Sequence, residues 1–173
     1  MGFLPVFLDL SAGTVVLVGA GPQAAAKFQL LRAAGARVKW FIQDASADNV
    51  ARLMPRDAVP IEVVLGEPED AELAQALALV SAAGGEADER LSRRARALAV
   101  PVNVVDRPES CDFYTPSIID RAPLTIAVSS EGEAPVLARL VRARIEAMLA
   151  PDLGRLAALM GHMRSAVARL LPE

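Results

Sequence analysis

The sequence predicts an α/β fold built on a parallel sheet, followed by a small α+β segment and a short helical C-terminal segment. Three observations carry this prediction. Between residues 14 and 106, short β-branched runs alternate with stretches of helix formers, the pattern of strands joined by helical crossovers. The loop Gly19-Ala20-Gly21-Pro22-Gln23-Ala24 follows the first run and opens a helix. Beyond Asp106 the alternation ceases, and a proline-punctuated stretch leads to one further strand and two helices.

The elements follow in order. Thr14–Val18 (TVVLV) is β-branched and ends on glycine, as a strand buried on both faces does. Helix formers with Phe28, Leu30 and Leu31 predict a helix over Ala24–Ala34, closed by Gly35. Val38–Ile42 reads as the second strand, Ala45–Met54 as a helix stopped by Pro55, and Ile61–Leu65 as the third strand. Asp70–Leu77 is a short helix running into a fourth strand, Leu77–Ser81. Asp88–Ala99 is a polar, arginine-rich helix, and Val102–Val105 the fifth strand. Leu124–Ser129 reads as strand, and Pro135–Leu149 as a helix with proline in its first turn. Pro151 and Gly154 break that helix before a final amphipathic one over Leu156–Leu171.

Composition narrows the function classes. Of 173 residues 53% are hydrophobic but only 4% aromatic, so aliphatic packing must carry the core. Net charge is −3 and uneven, +3 over residues 136–173 and −6 before them. That balance argues against a general nucleic-acid binder, while leaving a cationic end able to face a small polyanion. The single cysteine, Cys111, closes no internal disulfide. The N-terminal MGFLPVFLDL has no basic region and meets Asp9 early, unlike a signal peptide. No apolar run approaches about 18 residues without a charge, so no membrane span and a cytoplasmic location are expected.

The glycine loop is G-x-G-x-x-A in strand–turn–helix context. Gly19 permits the tight turn, Gly21 admits a pyrophosphate close to the backbone, and Ala24 lets helix and strand pack closely. The bland alternative is a glycine turn that binds nothing. NAD recognition adds an acid about 20 residues on, and Asp44 stands there beside Gln43. Asp44 grips a ribose or caps the helix at Ala45; both readings stand. No arginine at that strand tip receives a 2′-phosphate, so NAD is favoured over NADP.

Asp106 ends the apolar run VNVVD directly before Arg107-Pro108. Parallel strands deliver their C-terminal ends to the crevice where ligands bind, so this carboxylate is a candidate base. The alternative is an aspartate capping a turn. His162, the only histidine, lies between Met160 and Met163 with no metal-ligand spacing, and no metal site is expected.

Several stretches together resemble the siroheme synthase family, more narrowly its precorrin-2 dehydrogenase/sirohydrochlorin ferrochelatase module. They are LPVFLDL at 4–10, VLVGAGPQAAAK at 16–27, LLRAAGARV at 30–38, VNVVD at 102–106, FYTPSIIDRAPLTIAVSS at 113–130 and APVLARLVRARIEAML at 134–149. The resemblance implies NAD-dependent oxidation of precorrin-2 to sirohydrochlorin, in many members followed by Fe²⁺ insertion to give siroheme. It implies a homodimer with a Rossmann-like domain (1–112), a dimerisation segment (113–149) and a helical C-terminal segment (150–173), shorter than the family's. Asp106 matches the family's shared carboxylate; Pro22, Gln23, Gln43 and Asp44 match its nucleotide contacts. A polycarboxylate substrate suits bidentate clamps, for which Arg121, Arg139 and Arg142 are candidates beside ordinary surface charge. Ser129 and Ser130 bond the substrate or cap the following helix.

The chain also departs from the pattern. Where the family shows Ala-Thr-Asp-Asp after the fourth strand, this sequence has Ala82-Ala83-Gly84-Gly85, which puts side-chain contacts to the cofactor in doubt. Glu131 stands where a glycine is usual, and Ala134 replaces a serine. Two rival readings are an NAD-binding regulatory module without catalysis, and a chelatase or tetrapyrrole carrier that has lost NAD use.

Overall fold

The computed structural model describes residues 2–42 and 61–170, with side chains to residue 164. The chain divides after Phe113 into two compact units. The first holds β1 (Thr14–Gly19), α1 (Gly21–Ala33), β2 (Arg37–Ile42), β3 (Glu62–Leu65), α2 (Asp70–Ala74), β4 (Ala76–Ala82), α3 (Gly85–Ala97) and β5 (Val102–Val104). The helix expected over Ala45–Met54 lies outside the described residues.

The five strands pair in parallel in the order β3-β2-β1-β4-β5. This is the doubly wound, Rossmann-like order, which reverses direction between β1 and β4. Alternation along β1 divides the core between the two faces of the sheet. Val15 and Leu17 pack with Phe28, Leu31, Val38 and Trp40, and Val16 and Val18 with Phe41, Leu79, Leu91 and Val102. Phe28 of α1 stacks on Trp40 of β2 with ring centroids 5.1 Å apart, joining the helix to the sheet where aromatic residues are few.

Helix α1 ends as expected at Gly35. With φ +76°, Gly35 donates its N–H to the Arg32 carbonyl while Ala36 donates to Leu31, the paired bonds of a Schellman cap. Helix α3 ends in the same geometry without a glycine. Ala99 (φ +58°) donates to Arg96, and Val100 donates to Ala95. Two helix starts in this unit differ from the expected ones. Helix α1 begins at Gly21, inside the glycine loop, and α3 begins at Gly85, so Asp88 is an interior first-turn residue.

The second unit contains the antiparallel pair β6 (Ser117–Arg121) and β7 (Leu124–Val128), followed by α4 (Pro135–Met148) and α5 (Leu153–Leu170). Strand β6 had no counterpart in the sequence reading. Its turn, Ala122 and a cis-bonded Pro123, is not one of the Asn-Gly or Asp-Gly pairs that mark hairpins from sequence. By sequence Gly154 is a helix breaker, yet it lies inside α5. An added Cβ there would stand 2.5 Å from the carbonyl oxygens of Arg121 and Ala122, so the glycine serves close approach of helix to hairpin. No helix among the described residues is long and apolar enough to cross a membrane.

Candidate functional site

The glycine loop is held from three sides. Gly19 closes β1 opposite Ala82 of β4. A Cβ on Gly19 would lie 2.2 Å from the Ala82 carbonyl oxygen, and its φ of +119° favours glycine independently. The buried indole of Trp40 donates to the Gly19 carbonyl at 2.8 Å. Ala24, wholly buried, seats the helix on the sheet.

Gly21 differs in kind: it has φ +86° and nothing within 4 Å of an added Cβ, so the space beside it is open. No side chain caps α1 at Ala20, and its first turn holds no acidic residue. Uncapped N–H groups at a positive dipole end, beside a glycine bare on its outer side, suit a pyrophosphate. The loop therefore fits a dinucleotide.

Asp106 stands two residues past β5 with φ +58°, in the left-handed region. Its Oδ2 accepts from Gln23 Nε2 at 2.5 Å, so the carboxylate and the glycine-loop helix are in direct contact. The sequence brought these residues together only through the resemblance; the structure joins them by a bond. Lys27, one helical turn beyond Gln23, is half-buried in the same neighbourhood. Burial pushes its ammonium below the usual lysine range, while Cys111 and Asp106 nearby oppose that shift.

The turn carrying Asp106 is pinned on both flanks. Cys111 Sγ accepts the Val104 N–H at 3.2 Å and lies 3.3 Å from the Arg107 carbonyl. Burial raises the thiol above its ordinary value, partly offset by the bond from Val104. Asp112 accepts the Val102 N–H at 3.0 Å and pairs with Arg96 at 2.9 Å. Arg107 turns away to Glu89 at 3.0 Å.

A carboxylate missed in the sequence organises the turn after β4. Asp88, only 3% exposed, accepts from Ser81 Oγ at 2.6 Å, from the Ala83 N–H at 3.1 Å and from the Gly84 N–H at 3.1 Å. The signal was present: an acid shortly after a strand-terminal serine and a run of small residues. It was hidden because Asp88 read as the start of the helix. Trp40, a core residue by type, was equally unreadable as an anchor of the Gly19 carbonyl.

The remaining candidates divide by location. Gln43 and Asp44 lie outside the described residues. Arg121, Arg139, Arg142, Ser129 and Ser130 belong to the second unit. There Arg121 and Arg142 converge on Glu146, at 3.3 and 2.7 Å, and Arg142 also donates to the Ile118 carbonyl. Arg139 is exposed on α4. Ser130 Oγ accepts the N–H of Ala134, the residue before α4, and Ser129 Oγ accepts that of Glu131, so both hydroxyl oxygens hold the loop. His162 is exposed, its Nδ1 2.8 Å from the Ala158 carbonyl. Among the described residues no group of three His, Cys, Asp or Glu is arranged to hold a metal ion.

Residues 6–117 match the family described as "Putative NAD(P)-binding", and residues 121–148 match "Sirohaem biosynthesis protein central". Siroheme synthase of Thioalkalivibrio sulfidiphilus is 43% identical over 177 residues, spanning 100% of this chain and 35% of that protein. Siroheme synthase of Azotobacter vinelandii is 43% identical over 176 residues, spanning 100% of this chain and 37% of that protein. That of Neisseria meningitidis is 42% identical over 171 residues, with 96% and 34% covered. The chain thus spans about a third of the length of the curated relatives it matches. Among solved structures, "SirC, precorrin-2 dehydrogenase" superposes with a TM-score of 0.75 at 18% identity, over 99% of this chain and 83% of that one. The resemblance read from the sequence is borne out, and so is the fold.

Proposed function

Since the chain belongs to the family described as "Putative NAD(P)-binding" and carries the sirohaem central region after it, we propose that it oxidises precorrin-2 to sirohydrochlorin with NAD⁺. The full-length siroheme synthases it matches and the named dehydrogenase that shares its fold support this reading. The observation that carries it is the bond from Gln23 to Asp106, which ties a carboxylate to the helix that the dinucleotide loop opens.

The chemistry follows from that bond. Oxidation of the macrocycle removes one hydride and one proton. A bound nicotinamide supplies the hydride acceptor. Gln23 engages Asp106 Oδ2, leaving Oδ1 to take the proton, and the pinned 102–112 turn keeps the carboxylate in place. Gly19, Gly21, Pro22, Gln23 and Ala24 form the nucleotide loop in this reading, and Asp44 with Gln43 the ribose contact that favours NAD over NADP. Iron insertion, with Fe²⁺ as substrate, would use the same carboxylate to accept pyrrole protons.

A homodimer belongs to the proposal. Helix α4 exposes Val136, Leu137, Leu140, Val141 and Met148, a row at helical spacing that a second copy would cover. So does a cytoplasmic location, in keeping with one unpaired cysteine and the absence of a long apolar helix among the described residues.

The test is an anaerobic assay with freshly made precorrin-2, following NADH absorbance, with metal uptake by sirohydrochlorin measured separately. Asp106→Asn should lower the dehydrogenase kcat by about 100-fold or more while leaving NAD⁺ affinity intact. Full activity in that variant would end the proposal. A second reading, an NAD-binding module without catalysis, draws on the side-chain-poor turn Ala82-Ala83-Gly84-Gly85; wild-type protein that binds NAD⁺ but forms no NADH would favour it.

A further inference from the structure

The crevice of this sheet opens between β1 and β4, where strand order reverses. One wall is the glycine loop. The other is the turn Ala82-Ala83-Gly84-Gly85, which has no polar side chain and two glycines at positive φ (+83° and +54°). Such a segment has no means of its own to keep one shape, because glycine loses the most backbone freedom on ordering. It nevertheless meets Gly19 with no slack: a Cβ added there would lie 2.2 Å from the Ala82 oxygen and 2.9 Å from the Ala83 nitrogen. Any shift of the turn is therefore felt by the loop.

We propose that Asp88 is a positioning residue for the cofactor: from the first turn of α3 it fixes the 82–85 turn, and through that turn the glycine loop, without touching the nucleotide. Its two oxygens gather three donors from the segment, Ser81 Oγ at 2.6 Å and the N–H groups of Ala83 and Gly84 at 3.1 Å each. Both backbone donors come from the turn itself, and Ser81 is the last buried residue of the strand feeding it. A helix cap alone needs no buried carboxylate, since an exposed serine or asparagine meets that need. A charge only 3% exposed, balanced by hydroxyl and amide donors and the helix dipole, is costly unless all three bonds are made, so the turn adopts the one shape that makes them. Asp88 thus does from the following helix what the acid-free turn cannot do for itself.

The inference deepens the cofactor reading above and rests on it. It is tested by calorimetric titration of NAD⁺ into the full chain carrying Asp88→Ala, Asp88→Asn or Ser81→Ala, with circular dichroism as the check on folding. Asp88→Ala should weaken NAD⁺ binding about tenfold or more. Asp88→Asn, which keeps one acceptor but sets an NH₂ against an N–H donor, should weaken it less, and Ser81→Ala by a few-fold. The kcat at saturating NAD⁺ should stay within about twofold of wild type, because Asp106 and Gln23 are untouched. Unchanged NAD⁺ affinity in folded Asp88→Ala overturns the inference, as does a fall in kcat without a fall in affinity. Should Asp88→Ala fail to fold, Ser81→Ala and Asp88→Asn decide by the same criterion. If Asp106→Asn stays active while Asp88→Ala loses NAD⁺ affinity, the catalytic reading falls and this one stands. Wild-type protein that takes up no NAD⁺ removes both.

Discussion

Asp106 holds a backbone conformation in which L-residues other than asparagine and aspartate are strained, so its substitutions separate charge from backbone. Asparagine tolerates the same φ and can still accept from Gln23, so Asp106→Asn removes charge alone. Asp106→Ala also loses the tolerance and should be less stable than Asp106→Asn by about 1 kcal/mol, read by chemical denaturation. Lys27 carries the opposite kind of cost. Burial lowers its folded-state pKa below the unfolded value, so the unfolded chain binds more protons in the window between the two. The penalty is full below the lowered folded value and fades as pH rises toward the ordinary lysine range. Lys27→Met should therefore raise the melting temperature at neutral pH, and the gain should shrink as pH approaches that range. An unchanged difference from neutral to alkaline pH would contradict the burial cause. At this scale the sequence was legible where a residue's type announces its backbone geometry, as at Gly19 and Gly21, both at positive φ. It was opaque where the task depends on a partner far along the chain. Trp40 reaches Gly19, and Gln23 reaches Asp106 across 83 positions, with no local pattern to announce either.

The elements were legible for a different reason. Strands β1, β2 and β4 announced themselves because burial on both faces demands unbroken aliphatic runs, and their observed ends lie within a residue or so of those expected. Helix starts were less readable, since a glycine that opens a helix looks like one that stops it. Gly21 and Gly85 both begin helices here. Gly154 makes the same point inside α5, where its lack of a side chain serves the contact with the β6–β7 turn. Gly154→Ala should destabilise the second unit by roughly 1–3 kcal/mol, because its methyl would meet backbone carbonyls that cannot turn aside. The end of α3 predicts the reverse. Ala99→Gly relieves a left-handed alanine in a cap whose twin at Gly35 already has glycine, and should stabilise the first unit by about 1 kcal/mol. Thermal unfolding of the two variants, moving in opposite directions, checks both.

For the whole molecule, the sheet order places the glycine loop and the Asp88-held turn side by side at the reversal between β1 and β4, the position where open parallel sheets bind ligands. Assembly is the prediction proper to this scale. Charges introduced at Leu137 and Leu140, 58% and 59% exposed on α4, would sit in the seam of the proposed dimer. Leu137→Asp with Leu140→Asp should convert a dimer to a monomer in sedimentation velocity with the fold retained; a dimer that persists would place the contact elsewhere. The hydrogen bond from Trp40 to Gly19 has a practical consequence as well. The chain holds a single tryptophan, and that indole is wired to the backbone of the very turn meant to receive the dinucleotide. Its near-ultraviolet emission is therefore a native optical probe, able to follow occupancy of the loop in real time without a label.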